Sequence, residues 1–523
     1  MRRPAGLCRP QNLYVLIGRT SHVIRRLLLA GASLLPAPVA AETLREALVR
    51  AYQTNPTITA QRANLRATDE NVPIARADGL PSVNAGANFT ENLVVATNSF
   101  LAPTRQLTGQ TQLSVPLYQG GAVRNSVAAA ETRVDAGRAT LRGTEADLFT
   151  AVVGSYMDVI RDEAIVGLNQ QNVRVLDVNL RASRDRFQVG DLTRTDVAQS
   201  EARLALARAQ LQSAEARLIA SREGYIRLVG LPPLALEQPP TLPNLPASPE
   251  AAAIAAVDHN PALIAALRQR DATRYDVGVA KAQRLPRLNA VAGGTYFNFL
   301  GSLGSATSGN VGQSGNGATA GLQLTVPIFQ GGRPGAQVRQ AQAFRSQAIE
   351  NATATERAVI AQARSAYASW RSSNEVIASS ETAVQANRLS LEGVRAENSV
   401  GTRTILDILN AEQELLNSQV TLVTARRDAY VAGFALLAAM GDAEARDLGL
   451  DGGPLYDPLT NYNRVRRSIN DFASDGEPAA VATRTDQTPA QNAVVTKPLD
   501  PQLDSAVDRS QALTTGAASP NRQ

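Results

Sequence analysis

One seven-residue phrase occurs twice. Val115-Pro-Leu-Tyr-Gln-Gly-Gly121 returns as Val326-Pro-Ile-Phe-Gln-Gly-Gly332, a displacement of 211 residues (326 − 115). Each copy opens a stretch without proline, residues 117–231 and then 335–453. Proline inside a helix removes a hydrogen bond and clashes with the preceding turn, so both stretches read as very long helices. At ~1.5 Å per residue a helix over 121–187 would be roughly 100 Å long. No ordinary globular core needs that length, which leaves coiled coil, solenoid or tunnel wall.

Two short alternating segments precede each copy. In 82–93, Val83, Ala85, Ala87, Phe89 and Leu93 share one face, and Ser82, Asn84, Gly86, Asn88, Thr90 and Asn92 share the other. In 107–117, Leu113, Val115 and Leu117 stand against Thr108, Gln110, Gln112 and Ser114. Residues 287–299 and 319–328 repeat the pattern, the second more cleanly, around a Gly/Ser/Asn-rich loop at Gly301–Gly317. Period two with one apolar face is the strand signal. It fits a membrane barrel with a wet interior and a soluble layer with one buried face equally well. The fold expected is mainly α with a small β part: a duplicated unit of two strands plus a long helical hairpin.

The helices predicted after 121–187 are 194–229, 333–397 and 403–440, with shorter ones in 43–79 on either side of Asn55-Pro56. The second half repeats that break as Asn260-Pro261, a hinge or helix start. The expected organisation is a leader at 1–41, a first repeat at 42–230, a proline-rich linker at 231–248, a second repeat at 249–445 and a disordered tail at 446–523.

Charge and rare residues exclude several functions. The chain carries 52 Lys and Arg against 47 Asp and Glu. Residues 1–41 hold six Arg and no acid, then an apolar stretch Leu27–Leu35 and Ala37-Pro-Val-Ala-Ala41, the pattern of an export signal. Without them 46 basic residues face the 47 acidic ones, so a nucleic-acid partner has no electrostatic basis. The one cysteine, Cys8, lies in that segment. With two histidines and no phosphate-binding glycine loop, no enzyme, metal site or cofactor is expected. No run of 18 apolar residues exists, so no transmembrane helix is expected.

Four strands cannot close a barrel, and an open edge in lipid leaves backbone groups unpaired at several kcal/mol each. Copies would have to share one barrel. Two would give about eight strands, filled by side chains; three, about twelve, are the smallest set with a lumen. Near the second hairpin turn, Arg403, Asp407, Asn410 and Glu414 form one polar stripe on a helix. Its plain reading is a solvated face with an Arg403–Asp407 ion pair worth a few tenths of a kcal/mol.

These junctions, with the turns Val189-Gly190…Thr195-Asp196 and Val400-Gly-Thr-Arg-Thr-Ile-Leu-Asp407, resemble the TolC family of outer-membrane efflux and secretion channels over residues 43–445. The resemblance implies a homotrimer: a 12-stranded outer-membrane β-barrel continuous with a 12-helix coiled-coil tunnel in the periplasm of a Gram-negative cell. It implies export of small molecules or unfolded proteins in a tripartite efflux pump or type I secretion system. The partners implied are a periplasmic adaptor and an inner-membrane transporter of RND, ABC or MFS type. By the same resemblance Arg403, Asp407 and Asn410 occupy the gate, with Asn410 where the family carries a second acid. Asp196 and Asn398 occupy the closed-state lock, Asn398 standing where the family often has Tyr. Val189, Gly190, Leu192, Val400, Gly401 and Thr402 form the adaptor-docking tips. The competing reading is a periplasmic adaptor or structural coiled coil that never forms a barrel.

Overall fold

Two glycine corners turn strand into helix. Gly120 and Gly121 take φ of +62° and +81°, and Gly331 and Gly332 take +59° and +81°, a region open to glycine at no steric cost. A side chain at Gly120 would also meet the Ala282 carbonyl oxygen at 2.9 Å. Each corner releases a 67-residue helix, α4 (Ala122–Gln188) or α8 (Arg333–Ser399). Each long helix folds back through a short turn into a 36-residue partner, α5 (Arg194–Val229) or α9 (Ile405–Met440).

The computed structural model describes residues 42–94, 103–303, 312–450 and 455–503. The expected leader at 1–41 lies outside them, as do 95–102, 304–311, 451–454 and 504–523. Strands β1 (Ser82–Glu91), β2 (Arg105–Tyr118), β3 (Arg287–Asn298) and β4 (Ser314–Thr325) form one antiparallel sheet in that order. No residue of the four strands is buried. Both sheet edges and both faces are therefore bare in a single chain. β4 begins at Ser314, inside the segment expected to be loop, and stops at Thr325, short of Val326 and Ile328.

Short helices precede each strand pair: α1 (Leu44–Thr54), α2 (Pro56–Asp69) and α3 (Asn71–Ala77), then α6 (Pro249–His259) and α7 (Pro261–Ala282). The Asn-Pro pairs prove to be both helix start and clip. Asn55 Oδ1 accepts the Thr57 N–H, and its Nδ2 donates to the Leu228 carbonyl at 2.8 Å. Asn260 does the same with the Ala262 N–H and the Ala439 carbonyl.

The core lies where α1, α4, α5, α6, α8 and α9 meet, around the fully buried Tyr156, Tyr225, Phe149 and Phe434. Its polar hub is Glu42, 1% exposed. The Glu42 carboxylate accepts from the Tyr225 hydroxyl at 2.9 Å, Arg50 at 2.8 Å and the Leu234 N–H at 3.1 Å. Full satisfaction is what makes a buried carboxylate tolerable. The proline-rich segment 231–248 is thus packed: Leu236 is buried and bridges Glu42 in parallel.

The tail corrects an expectation. Residues 455–503 carry α10 (Leu459–Val465) and then run extended along the helices. Tyr462 packs against Val72 and Val134, and Val465 is buried. Arg222 holds the Asn492 and Val494 carbonyls, and Gln419 holds that of Leu503 at 2.8 Å. Leu499 and Leu503 join the main core. An extended strap anchored one residue at a time has no period, so composition alone read as disorder.

Candidate functional site

The tips of the two hairpins are built by one local code, Val-Gly-x-x-Thr-x-x-Asp, read twice. Val189 and Val400 end their helices, and Gly190 (φ +85°) and Gly401 (φ +81°) reverse the chain. The Asp191 N–H reaches the Arg186 carbonyl at 2.9 Å, and the Thr402 N–H reaches that of Glu397 at 3.0 Å. These bonds satisfy helix-end carbonyls, the task of a glycine C-terminal motif. Thr193 and Thr404 then cap α5 and α9 with the same dihedrals, φ −89° and ψ 161°.

Both aspartates complete capping boxes. Asp196 Oδ2 accepts the Thr193 N–H at 2.9 Å and its hydroxyl at 2.7 Å. Asp407 Oδ2 accepts the same pair from Thr404 at 2.9 and 2.8 Å. These bonds hold both carboxyls below the usual carboxylate range. The Thr193 hydroxyl is the larger cause at Asp196 and the Thr404 N–H at Asp407. Both are therefore charged at neutral pH, at the positive end of a helix dipole.

Arg403 does not pair with Asp407. Its Nε donates to Glu397 Oε2 at 2.7 Å, across the turn of its own hairpin. The expected i,i+4 pair loses because Asp407 is already held by Thr404 and Glu397 lies closer to the guanidinium. Asn398 does not meet Asp196 either; its Nδ2 donates to the Arg403 carbonyl at 2.7 Å and rigidifies the turn. Asn410 links the two hairpins near the tips, its Oδ1 accepting from Arg203 on α5 at 2.8 Å. Sequence reading missed Arg203 and Glu397. Arg203 lies seven residues beyond Asp196, two helical turns along the same face, and that spacing was the available signal.

Beneath the tips, Leu176, Leu180, Leu204, Ala207 and Leu409 form an apolar cluster of α4, α5 and α9. Arg395 and the buried Glu412 pair between α8 and α9. Burial pushes the Glu412 carboxyl up, and Arg395 opposes it. Outside this frame Val189 is 78% exposed and Val400 75% exposed. Each tip thus presents one apolar knob and fixed carboxylates to whatever lies beyond. Among the described residues no group of three or more His, Cys, Asp or Glu could hold a metal ion, and no helix is long and apolar enough to cross a membrane.

The chain is similar to known proteins over most of its length. The family model described as "Outer membrane efflux protein" matches residues 47–231 and 254–442, one segment per repeat. The outer membrane efflux protein BepC of Brucella suis is 34% identical over 444 residues, covering 85% of this chain and 95% of the relative. The outer membrane protein TolC of Escherichia coli is 26% identical over 469 residues, covering 85% and 93%. The solved structure of the outer membrane protein VceC from Vibrio cholerae shares the fold with a TM-score of 0.64 at 23% identity, covering 76% of this chain and 96% of that one.

Proposed function

The chain belongs to the outer membrane efflux protein family, and from that premise we propose a trimeric exit duct that connects an inner-membrane pump with the cell exterior. It is an outer-membrane channel protein, not an enzyme. Three copies of the four-stranded sheet would close one barrel of twelve strands, wide enough for a lumen. Their helices α4, α5, α8 and α9, four per copy, would form a twelve-helix tunnel.

One observation carries this reading: a sheet bare on both faces and both edges feeds two ~100 Å helices at a single end. An open edge in lipid costs several kcal/mol per unpaired group, so a lone chain is not the working form. The apolar face, with Val83, Phe89, Leu322 and Leu324 exposed, suits lipid. The Asn and Gln face suits a wet lumen.

The tips would form the inner gate. Three Asp407 carboxylates, charged by their capping bonds, would ring the axis and attract cations. The next ring, Asn410, is neutral and held by Arg203, so cation block is weaker than with two acid rings. Asp196 and Asn398 flank the gate as turn-fixing residues. The exposed Val189 and Val400, with Gly190, Leu192, Gly401 and Thr402, would receive the helical hairpin of a periplasmic adaptor. The adaptor in turn would couple the duct to an RND, ABC or MFS transporter. The name of BepC supports efflux as the task.

The test is single-channel recording of the mature protein in a planar bilayer. Small cation-selective steps, blocked by trivalent cations and relieved of block by Asp407→Ala, are expected. A well-folded oligomer with no conductance would overturn the duct and favour a barrel-less adaptor role. Unchanged block in the variant would move the ring elsewhere.

A further inference from the structure

The strap of residues 491–503 crosses all four long helices. Arg222 on α5 donates to the Asn492 and Val494 carbonyls at 2.7 and 3.0 Å, and Glu223 beside it accepts the Gln491 N–H at 3.1 Å. Leu499 then lies over α4, where a side chain at Gly167 would meet its Cδ1 at 2.9 Å. On α9, Arg426 donates to Asp500 Oδ2 at 3.2 Å and to Gln502 Oε1 at 2.7 Å, and Gln419 holds the Leu503 carbonyl. Arg388 on α8 donates to the Gln502 carbonyl at 2.9 Å. The strap therefore meets α5, α4, α9 and α8 in turn, the order in which these helices stand side by side. Extended, it reaches ~40 Å, enough for three interaxial steps of ~8–10 Å.

The seam that the strap crosses is uneven. Each hairpin packs within itself, α4 with α5 and α8 with α9, and the two hairpins meet where α4 lies against α9. On the sheet side of the strap, Arg427 on α9 pairs with Asp158 on α4 at 2.9 Å, and Phe149, Val153 and Phe434 share one buried cluster. Toward the tips the seam turns polar. Asn172, Glu412 and Gln419 line a cavity of about 20 Å³ between α4 and α9, and the buried Asn172 Nδ2 has no hydrogen-bond partner. Unfilled volume and an unpaired amide both weaken a contact. Nearer the tips the hairpins meet through Leu409, 2% exposed among Leu176, Leu180 and Leu204, and through the bond from Arg203 to Asn410.

We propose that residues 491–503 brace the two hairpins against each other and set the level from which their tips separate; the gate so regulated is the one proposed above. Beyond the strap α4 runs on for 21 residues (188 − 167) and α8 for 11 (399 − 388), levers of roughly 15–30 Å. With the strap in place, α4 and α9 part at its level only if Arg222 on one side, or Gln419 and Arg426 on the other, give up their bonds. With the strap off, the polar seam is free to open and the tip contacts at Leu409 and Asn410 carry the load.

The strap is also built to come away as a unit. A cleft of about 700 Å³ lies beneath residues 495–503, against Met157, Ile160 and Ala164 of α4 and Val423 of α9. Lys497 donates to the Leu236 carbonyl at 3.1 Å beside this cleft, and Leu499 and Leu503 supply the apolar contacts. Its hydrogen bonds to the four helices end on helix side chains, those of Arg222, Glu223, Gln419, Arg426 and Arg388. Release therefore leaves the backbone bonding of the helices intact. Local stability differs between such a segment and the core beneath it.

Cutting the strap in the assembled protein tests the brace. The full-length chain carries Cys8→Ser, which leaves no native thiol, Leu409→Cys, and a specific protease site in place of the exposed residues 476–481. Cleavage after folding and a high-salt wash remove residues 482–523, as mass spectrometry verifies; where the cut strap stays bound, Leu499→Asp is added to release it. Maleimide labelling of Leu409→Cys should be slow in the uncut protein, severalfold faster once the strap is gone, and slow again with a synthetic peptide of residues 483–503. The resting conductance should rise and fall with it. Equal labelling of cut and uncut protein, or faster labelling that the peptide does not reverse, overturns the brace. Faster labelling at unchanged conductance overturns its control of the gate. No conductance from cut or uncut protein overturns the duct itself, and the labelling still decides the brace.

Discussion

Glu145→Gln should flatten the pH dependence of the joint between α4 and the segment after α9. Glu145 Oε1 accepts the Ala445 N–H at 2.5 Å, and Arg142 one turn away pairs with Glu444. Burial pushes the Glu145 carboxyl from 4.5 up to about 7; Glu444 and Asp447 add to the rise, and the Ala445 N–H and Arg62 oppose it. A folded pKa above the unfolded one means that protonation supports the fold. This contribution is complete below about 4.5 and is lost as pH rises through about 7. At 1.36 kcal/mol per pH unit the interval is worth at most about 3.4 kcal/mol, and partial solvation screens it to about 1–2 kcal/mol. Hydrogen exchange of peptides covering 441–450 in the assembled protein, corrected for intrinsic rates, reads it directly. Between about pH 5 and 8 the wild type should lose roughly tenfold protection beyond Glu145→Gln, since 1.36 kcal/mol is a factor of ten. Identical losses in both proteins would refute the reasoning.

Two further substitutions test the packing along α9 and at its end. Leu503→Asp buries a charge where Leu503 is 2% exposed. It should cost about 2–4 kcal/mol of local stability and expose residues 485–503 to limited proteolysis while α4, α5, α8 and α9 stay resistant. Gly441→Ala places a Cβ 2.5 Å from the His259 carbonyl oxygen at φ +88°, whereas Gly190→Ala at φ +85° meets nothing within 4 Å. The tip variant should lose about 1–2 kcal/mol and Gly441→Ala clearly more; equal midpoints in parallel denaturation of the two would contradict the close approach.

The helices were legible because their signals are local: proline-free stretches, and Gly and Thr at the turns. α5 spans Arg194–Val229, the range that the turn residues predicted. The strands were legible as period-two segments, yet the end of β4 was not. Whether Val326–Phe329 joins the sheet depends on a neighbour, and a sequence does not display neighbours. The tip turns were legible, but the partners of their side chains were not. Asp196 and Asp407 sit in a Thr-x-x-Asp pattern that already announces a capping box, and Arg403 was assigned to the wrong acid because Glu397 reaches it only through the three-dimensional turn. The strap at 455–503 was invisible because its backbone bonds go to Arg222 and Gln419 side chains, 270 and 84 residues away.

In the proposed trimer, helix burial would extend the contact between copies from the sheet toward the tunnel. α4 and α8 have equal length, but 25 residues of α4 are buried against 8 of α8. α4 rests on α7, with Arg133 paired to Asp276 and Gly278 closed down on Asn125. α7 leads into β3 as α2 and α3 lead into β1. The repeat would set α8 against α2 and α3 of the next copy in the proposed trimer, as α4 sits against α7. Among the exposed side chains of these helices are the apolar Phe344 at 57% and Ile349 at 40% on α8, and Ile74 at 64% on α3. Covering them adds a hydrophobic term of about 25 cal/mol per Å² to the strand pairing, below the strands rather than within them. In the proposed trimer the half-bare helix and the truncated strand would have one cause: both would face the next copy.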